Sequence, residues 1–186
     1  MNQKNSLGLD NCFLDTNDPI ELFKTWMNKA KETEPNDPNA LSLATSDKKG
    51  FPSVRMVLLK DFSKNGFIFY TNLNSQKSLS LKENPKAEMC FYWKSLLRQV
   101  RINGHISQVS DKDADVYYNT RPYGARIGAW ASKQSEVLQN RSELINSIKD
   151  YKEKYNDEKN VPRPDHWSGW SLSPKEIEFW LHADSR

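Results

Sequence analysis

Four cations stand in strand or helix contexts where decoration of a wet surface is not the obvious reason for them. Arg55 and Lys60 bracket the apolar run from Met56 to Leu59. Lys77 sits in the first turn of a short predicted helix after Tyr70-Thr71, where free backbone N–H groups and the helix dipole favour an anion. Arg121 follows Tyr117 by four residues, on one side of a helix end. Arg and Lys held in this way suit phosphate, because a dianion leaving water needs several charge-assisted donors. Any one of them alone also fits a solvated or salt-bridged surface charge. A second feature is the low-bulk stretch Gly128-Ala129-Trp130-Ala131-Ser132-Lys133-Gln134-Ser135. Small side chains let backbone approach a flat ligand, and Gln134 and Ser135 can hydrogen-bond the edge of a heterocycle. Spacing alone also fits Ser135 as the cap of a following helix. Trp130, Trp167, Trp170 and Trp180 read more readily as core than as ligand platforms. The pattern reaches a phosphorylated planar ligand but no reaction.

Other chemistries lack their usual signatures. There is no G-x-x-x-x-G-K phosphate loop, no G-x-G-x-x-G turn, no G-x-S-x-G elbow and no H-E-x-x-H pair. His105, His166 and His182 are scattered, so no zinc site is built by local spacing. Cys12 and Cys90 stand far apart, which fits a reducing compartment. The 27 Lys and Arg and 24 Asp and Glu give a net charge of +3 and are interleaved, which argues against nucleic acid as a partner. No apolar run is long enough to span a membrane, and the start has no signal-peptide core. These features are read as a soluble, cytoplasmic protein.

The elements that must position these groups follow from periodicity. With 186 residues, one domain is expected, and with 37% apolar residues against six Trp, seven Tyr and eight Phe its core is built from few, large pieces. Residues 1–17 are polar and irregular and are expected to form a mobile arm. Asp18-Pro19 opens a helix that ends near Pro35. From Ala40 to Val109 the period switches to two, predicting strands at Leu41–Ala44, Ser53–Lys60, Phe67–Thr71, Ala87–Trp93 and Arg98–Val109. Asp61 to Gly66 reads as a turn, and a helix from Ser75 to Asn84 interrupts the series. Ser110 caps a helix that Pro122 stops, a longer helix runs from about Ser135 to Tyr155, and a last strand covers Ile177 to His182. Five strands in about seventy residues argue for an antiparallel barrel or sandwich in an α+β, mainly β, protein.

At these residues the sequence resembles the pyridoxamine 5′-phosphate oxidase family, FMN-dependent enzymes of vitamin B6 metabolism. The ordered blocks are Asp18-Pro19-Ile20-Glu21-Leu22-Phe23, Arg55-Met56-Val57-Leu58-Leu59-Lys60, Phe69-Tyr70-Thr71-Asn72, Arg98-Gln99-Val100-Arg101, Arg121-Pro122, Ile127 to Ser135, Val161-Pro162-Arg163-Pro164, His166-Trp167 and Ile177-Glu178-Phe179-Trp180. The resemblance implies an FMN-binding split β-barrel with flanking helices, spanning residues 18–186, and a homodimer with FMN at the subunit interface. It implies that Arg55, Met56, Val57, Leu58, Tyr70, Thr71, Gln76, Lys77, Gln99, Gln134, Ser135 and Trp180 bind FMN, with Arg55 and Lys77 at its phosphate. Lys60, Tyr117 and Arg121 would hold the phosphate of the substrate, and Arg186 would lie by the reacting carbon as the catalytic residue. The implied reaction is oxidation of pyridoxamine or pyridoxine 5′-phosphate by dioxygen to pyridoxal 5′-phosphate, with hydrogen peroxide, and ammonia from the amine. Three departures stand out: Gln76 where the family usually carries Arg, Ala125 where a Ser is common, and a chain that ends at Arg186, at the start of the family's R-L-H-D-R segment. They leave two alternatives, a weak or inactive binder of FMN or pyridoxal phosphate, and a related split-barrel flavin reductase.

Overall fold

The computed structural model describes Phe13 and residues 17–182. The arm expected over residues 1–17 therefore falls almost wholly outside the described residues, as does Arg186. Helix α1 (Pro19–Thr33) starts where Asp18 accepts a hydrogen bond from Ile20 N at 2.9 Å. Its apolar stripe, Leu22, Phe23, Trp26, Met27 and Ala30, is buried. Phe23 lies within 4.8–5.2 Å, edge-on, of Phe62, Phe67 and Phe91, the mutual geometry that aromatic rings prefer. The helix thus fills the core against Phe62, Phe67 and Phe91.

Strands β1 (Ala40–Ser46), β2 (Pro52–Leu58), β3 (Asp61–Ser63), β4 (Gly66–Asn72), β5 (Lys86–Trp93), β6 (Arg98–Gln108) and β7 (Trp167–Leu181) make one antiparallel sheet in the order β2-β1-β5-β6-β7-β4-β3. The two edges, β2 and β3, are separated in the chain only by Leu59 and Lys60. A link that short forces the sheet to curl until its edges meet, which makes it a split barrel. Lys60 N donates to Ile68 O at 2.8 Å, fixing the corner. Val57 and Leu58 of β2 and Tyr70 and Thr71 of β4 come to line one cleft.

Helix α2 (Gln76–Glu83) follows β4, α3 (Asp111–Thr120) follows β6, and α4 (Tyr123–Ala131) and α5 (Arg141–Lys154) precede the linker into β7. Ser110 caps α3 as expected, accepting from Asp113 N at 3.1 Å.

Four expectations need correction. The supposed turn Asp61–Gly66 contains β3, a strand too short to display a period. The small residues from Gly128 to Ala131 belong to α4, and the last long helix begins at Arg141 behind its cap Asn140. Ser135 caps nothing there and sits at φ 71°. The final strand begins ten residues earlier than expected, at Trp167. Pro174 hides it, since proline demotes a strand pattern. A register shift between Asn103 and Gly104 faces this proline, and that bulge accommodates it. A Cβ on Gly104 would lie 2.0 Å from Ser173 O, so the backbones meet there only because position 104 has no side chain.

Candidate functional site

A cleft of about 430 Å³ opens between β2, β4, α2 and the α3–α4 corner. Of the residues predicted from sequence, Met56, Val57, Leu58, Lys60, Tyr70, Thr71, Lys77, Tyr117, Arg121 and Gln134 line it. Arg55 lies beside it, close enough for its charge to act on Lys77. Ser135 and Gln76 meet at its rim, where Gln76 N donates to Ser135 Oγ at 3.2 Å. Gln99 and Trp180 are cross-strand partners on β6 and β7. They do not line the cleft. Tyr70 pairs with Gly169, eleven residues from Trp180 along β7, or roughly 36 Å of extended strand.

Two sets of cations bear on this space: Lys77 in its lining with Arg55 beside it, and Lys60 with Arg121. Lys77 is buried, and its ammonium donates to Gln134 Oε1 at 2.8 Å, Thr71 Oγ1 at 3.0 Å and Ser75 Oγ at 3.1 Å. Burial, with a smaller contribution from Arg55, pulls its pKa down to about 8. The Arg55 guanidinium is spread over β1, donating to Thr45 Oγ1 at 2.8 Å and Leu43 O at 3.1 Å, and to Ser53 Oγ at 2.6 Å. Ser75, the N-cap of α2, turns its hydroxyl to Asn72 O and makes no side-chain cap bond, leaving the helix start to Ser135. A first helical turn with Lys77 and Arg55 beside it has the chemistry that suits an anion.

The second set is Lys60 and Arg121. Arg121 closes α3, its guanidinium 4.6 Å above the Trp167 ring and 5.8 Å from Tyr118, and its Nη1 is buried without a hydrogen-bond partner. Burial lowers its pKa from the usual arginine value. Among the described residues, none of Arg55, Lys60, Lys77 or Arg121 forms an ion pair with a carboxylate. Four cations left without carboxylate partners in and beside one cleft suit an anionic ligand.

An aromatic floor lines the same cleft. Tyr70 stacks on Tyr117 at 4.0 Å and 12°, and on Trp167 at 5.3 Å and 7°. Gly169 permits this, because a Cβ there would lie 2.7 Å from the Tyr70 ring. Gly169→Ala is accordingly expected to push Tyr70 out of the stack and to cost about 1–3 kcal/mol of stability, checked by urea unfolding. Unchanged stability with an intact stack would contradict this. Trp167 as a floor residue, Gly169 beneath it and Arg163 behind it are what sequence reasoning missed. Trp167 lacks a partner at helical or strand spacing, and its role appears only when β7 is laid beside β4. Trp130 keeps the structural role expected of it, donating to Pro162 O at 2.8 Å and packing on Tyr151 and Tyr155.

Barrel, core-filling helix and cation-lined cleft together define a split β-barrel of the FMN-binding class. The chain belongs to the pyridoxamine 5′-phosphate oxidase family, whose model matches residues 27–180. It is 69% identical over its whole length to the pyridoxine/pyridoxamine 5′-phosphate oxidase of Pelagibacter ubique, spanning 89% of that protein, and 55% identical over 94% of its length to that of Allorhizobium ampelinum, spanning 84% of it. Among solved structures, PhzG from Burkholderia lata in complex with tetrahydrophenazine-1-carboxylic acid superposes with a TM-score of 0.86 at 28% identity, covering 92% of this chain and 84% of that one. A pyridoxamine 5′-phosphate oxidase-related, FMN binding protein from Nostoc punctiforme superposes with a TM-score of 0.68 at 16% identity, over 88% of this chain and 85% of that one, a likeness of fold. No described helix is long and apolar enough to cross a membrane.

Proposed function

We propose that this chain oxidises pyridoxamine 5′-phosphate or pyridoxine 5′-phosphate with dioxygen, giving pyridoxal 5′-phosphate and hydrogen peroxide, and ammonia from the amine. The observation that carries this reading is the pair of cation sets, Arg55 with Lys77 and Lys60 with Arg121, around one cleft and without carboxylate partners. Two phosphorylated ring compounds bound in one cleft require cations for two phosphates. The residues fit FMN: its phosphate suits the start of α2 beside Lys77 and Arg55, and its ring edge suits Gln134 and the β2 backbone at Met56–Leu58. When bound, FMN supplies the two-electron acceptor.

The protein's own work is then positioning and desolvation. Lys60, Tyr117 and Arg121 would hold the substrate phosphate and so fix where the substrate ring lies in the cleft. The Trp167 and Tyr118 rings shield one side of Arg121 from water, which strengthens its pull on a phosphate. Val54 and Met56 on β2 are exposed apolar residues, and Gln99 and Trp180 lie far from the cleft of their own chain. A second copy packed on β2 supports both facts, its Gln99 and Trp180 completing the cofactor site; a solution mass of one chain would contradict this part.

The decisive measurement is anaerobic mixing of FMN-loaded protein with pyridoxamine 5′-phosphate while the flavin absorbance near 450 nm is followed. Bleaching, and its reversal by air with release of peroxide, is the expected result. Tight binding of both ligands without bleaching would leave a binding protein, and reduction by a nicotinamide cofactor alone would leave a flavin reductase.

A further inference from the structure

Arg163 lies in the linker that leads into β7, and it is held by three groups at once. Its Nε donates to Asp115 at 2.6 Å, its Nη2 to Asp111 at 2.9 Å, and its Nη1 to Trp167 O at 2.8 Å. Asp111 and Asp115 are one turn apart on α3, so the guanidinium grips one face of that helix with two of its donor groups while a third holds the strand. The guanidinium side is shielded, with the Arg163 side chain 11% exposed against 80% and 55% for the two carboxylates.

What this clamp governs follows from where α3 is anchored. The helix buries Ala114 and Tyr118, the Tyr118 hydroxyl donating to Arg126 O at 3.0 Å, and the Arg163 bridge adds a polar tie on the face that carries Asp111 and Asp115. The far end of α3 carries Tyr117 and Arg121. The Tyr117 ring is parallel to that of Trp167, at 5° with centroids 6.2 Å apart, and Arg121 rests on that same Trp167 ring. Arg163 thus ties the helix bearing the phosphate cations to the strand bearing the platform beneath them. We infer that Arg163 is a positioning residue: by locking α3 to the start of β7 it sets the rotation at which Tyr117 and Arg121 meet the substrate phosphate. The inference rests on the substrate assignment proposed above. The bridge itself touches neither Lys77 nor Arg55, so the cofactor phosphate is not its business.

The test uses the full chain saturated with FMN and titrated with pyridoxal 5′-phosphate. Arg163→Met is expected to weaken that ligand about tenfold while FMN affinity changes less than about twofold. In an Arg121→Ala background the same change is expected to cost less than about threefold, because the group being positioned is gone. Additive losses in the double variant, or equal losses for both ligands, would overturn the inference. Arg163→Lys, which offers a point charge in place of the fork, should fall between wild type and Arg163→Met. If Arg163→Met does not fold, Asp111→Asn with Asp115→Asn releases the same clamp from the exposed side and should give the same selective loss. Near-ultraviolet circular dichroism of the ligand-free chain reports the Tyr117–Trp167–Tyr70 stack independently of any ligand. A wild-type chain that ignores pyridoxal 5′-phosphate would sink the substrate assignment, whereas an aromatic spectrum unmoved by Arg163→Met would sink the clamp.

Discussion

Replacing Arg121 by alanine is expected to weaken binding of pyridoxal 5′-phosphate to the FMN-loaded chain about 100-fold, with FMN affinity nearly unchanged. The size follows from the state of the guanidinium before ligand arrives. It is pressed on Trp167 and has a buried Nη1 with no partner, so part of the cost of desolvating it has been met by the fold. A phosphate oxygen reaching it gains charge-assisted bonds in a shielded place, worth about 3 kcal/mol, or about two powers of ten. Selectivity follows from the layout, since the cofactor phosphate is assigned to Lys77 and Arg55 on the other side of the cleft. The variant also removes an unsatisfied buried donor, so the ligand-free protein should melt no earlier than wild type. Arg121→Lys restores charge but neither the planar fork nor the stack on Trp167, and should recover about tenfold of the loss at most. Isothermal titration of both ligands decides the matter: matched losses for the two would mean that the phosphates share one set of cations.

Much of this arrangement was legible in the chain before any coordinates. The alternation of β2 and the capping signals of α1 and α3 are local physics, and local signals survive into the fold. Lys77 at a helix start was recognisable for the same reason. Strand periodicity left a barrel and a sandwich open and the resemblance implied the split barrel; the device that closes it, a two-residue link between strands at opposite edges, shows only after all seven strands are ordered. Likewise Ser135 looked like a cap for the wrong helix. Its hydroxyl does satisfy a helix start, but that of α2, 59 residues back in the chain, through Gln76 N. Trp167 and Arg163 escaped because their partners, Tyr70, Asp111 and Asp115, are distant in sequence and carry no spacing signal. The platform of the site is made by tertiary contact, whereas its charges are written locally.

That division bears on the cofactor side, where the expected effect is as large and carries a pH signature. Lys77 is a buried ammonium whose neighbours are hydroxyls, an amide oxygen and the like charge of Arg55, with no carboxylate in its hydrogen-bond shell. Its pKa near 8 in the folded, ligand-free chain lies below the ordinary 10.5, so between those two values the unfolded chain binds the extra proton. Stability of the ligand-free protein should therefore rise as pH climbs from about 8 toward 10.5, and this group's destabilising effect is fully present below about 8. A phosphate dianion reverses the preference, since it favours the ammonium. Binding FMN should then take up a proton above pH 8, with affinity falling by up to about tenfold per pH unit from there on. Titrations run above pH 7 keep the phosphate itself doubly charged, its second pKa being about 6. Lys77→Met should lower FMN affinity about 100-fold at pH 7.5, flatten the decline above pH 8, and raise the melting temperature of the ligand-free chain, because a buried charge has been replaced by an apolar side chain of similar length. An FMN affinity that stays level from pH 7 to 10 in the wild type, or a Lys77→Met chain that still loses affinity over that range, would show that some other group holds the phosphate.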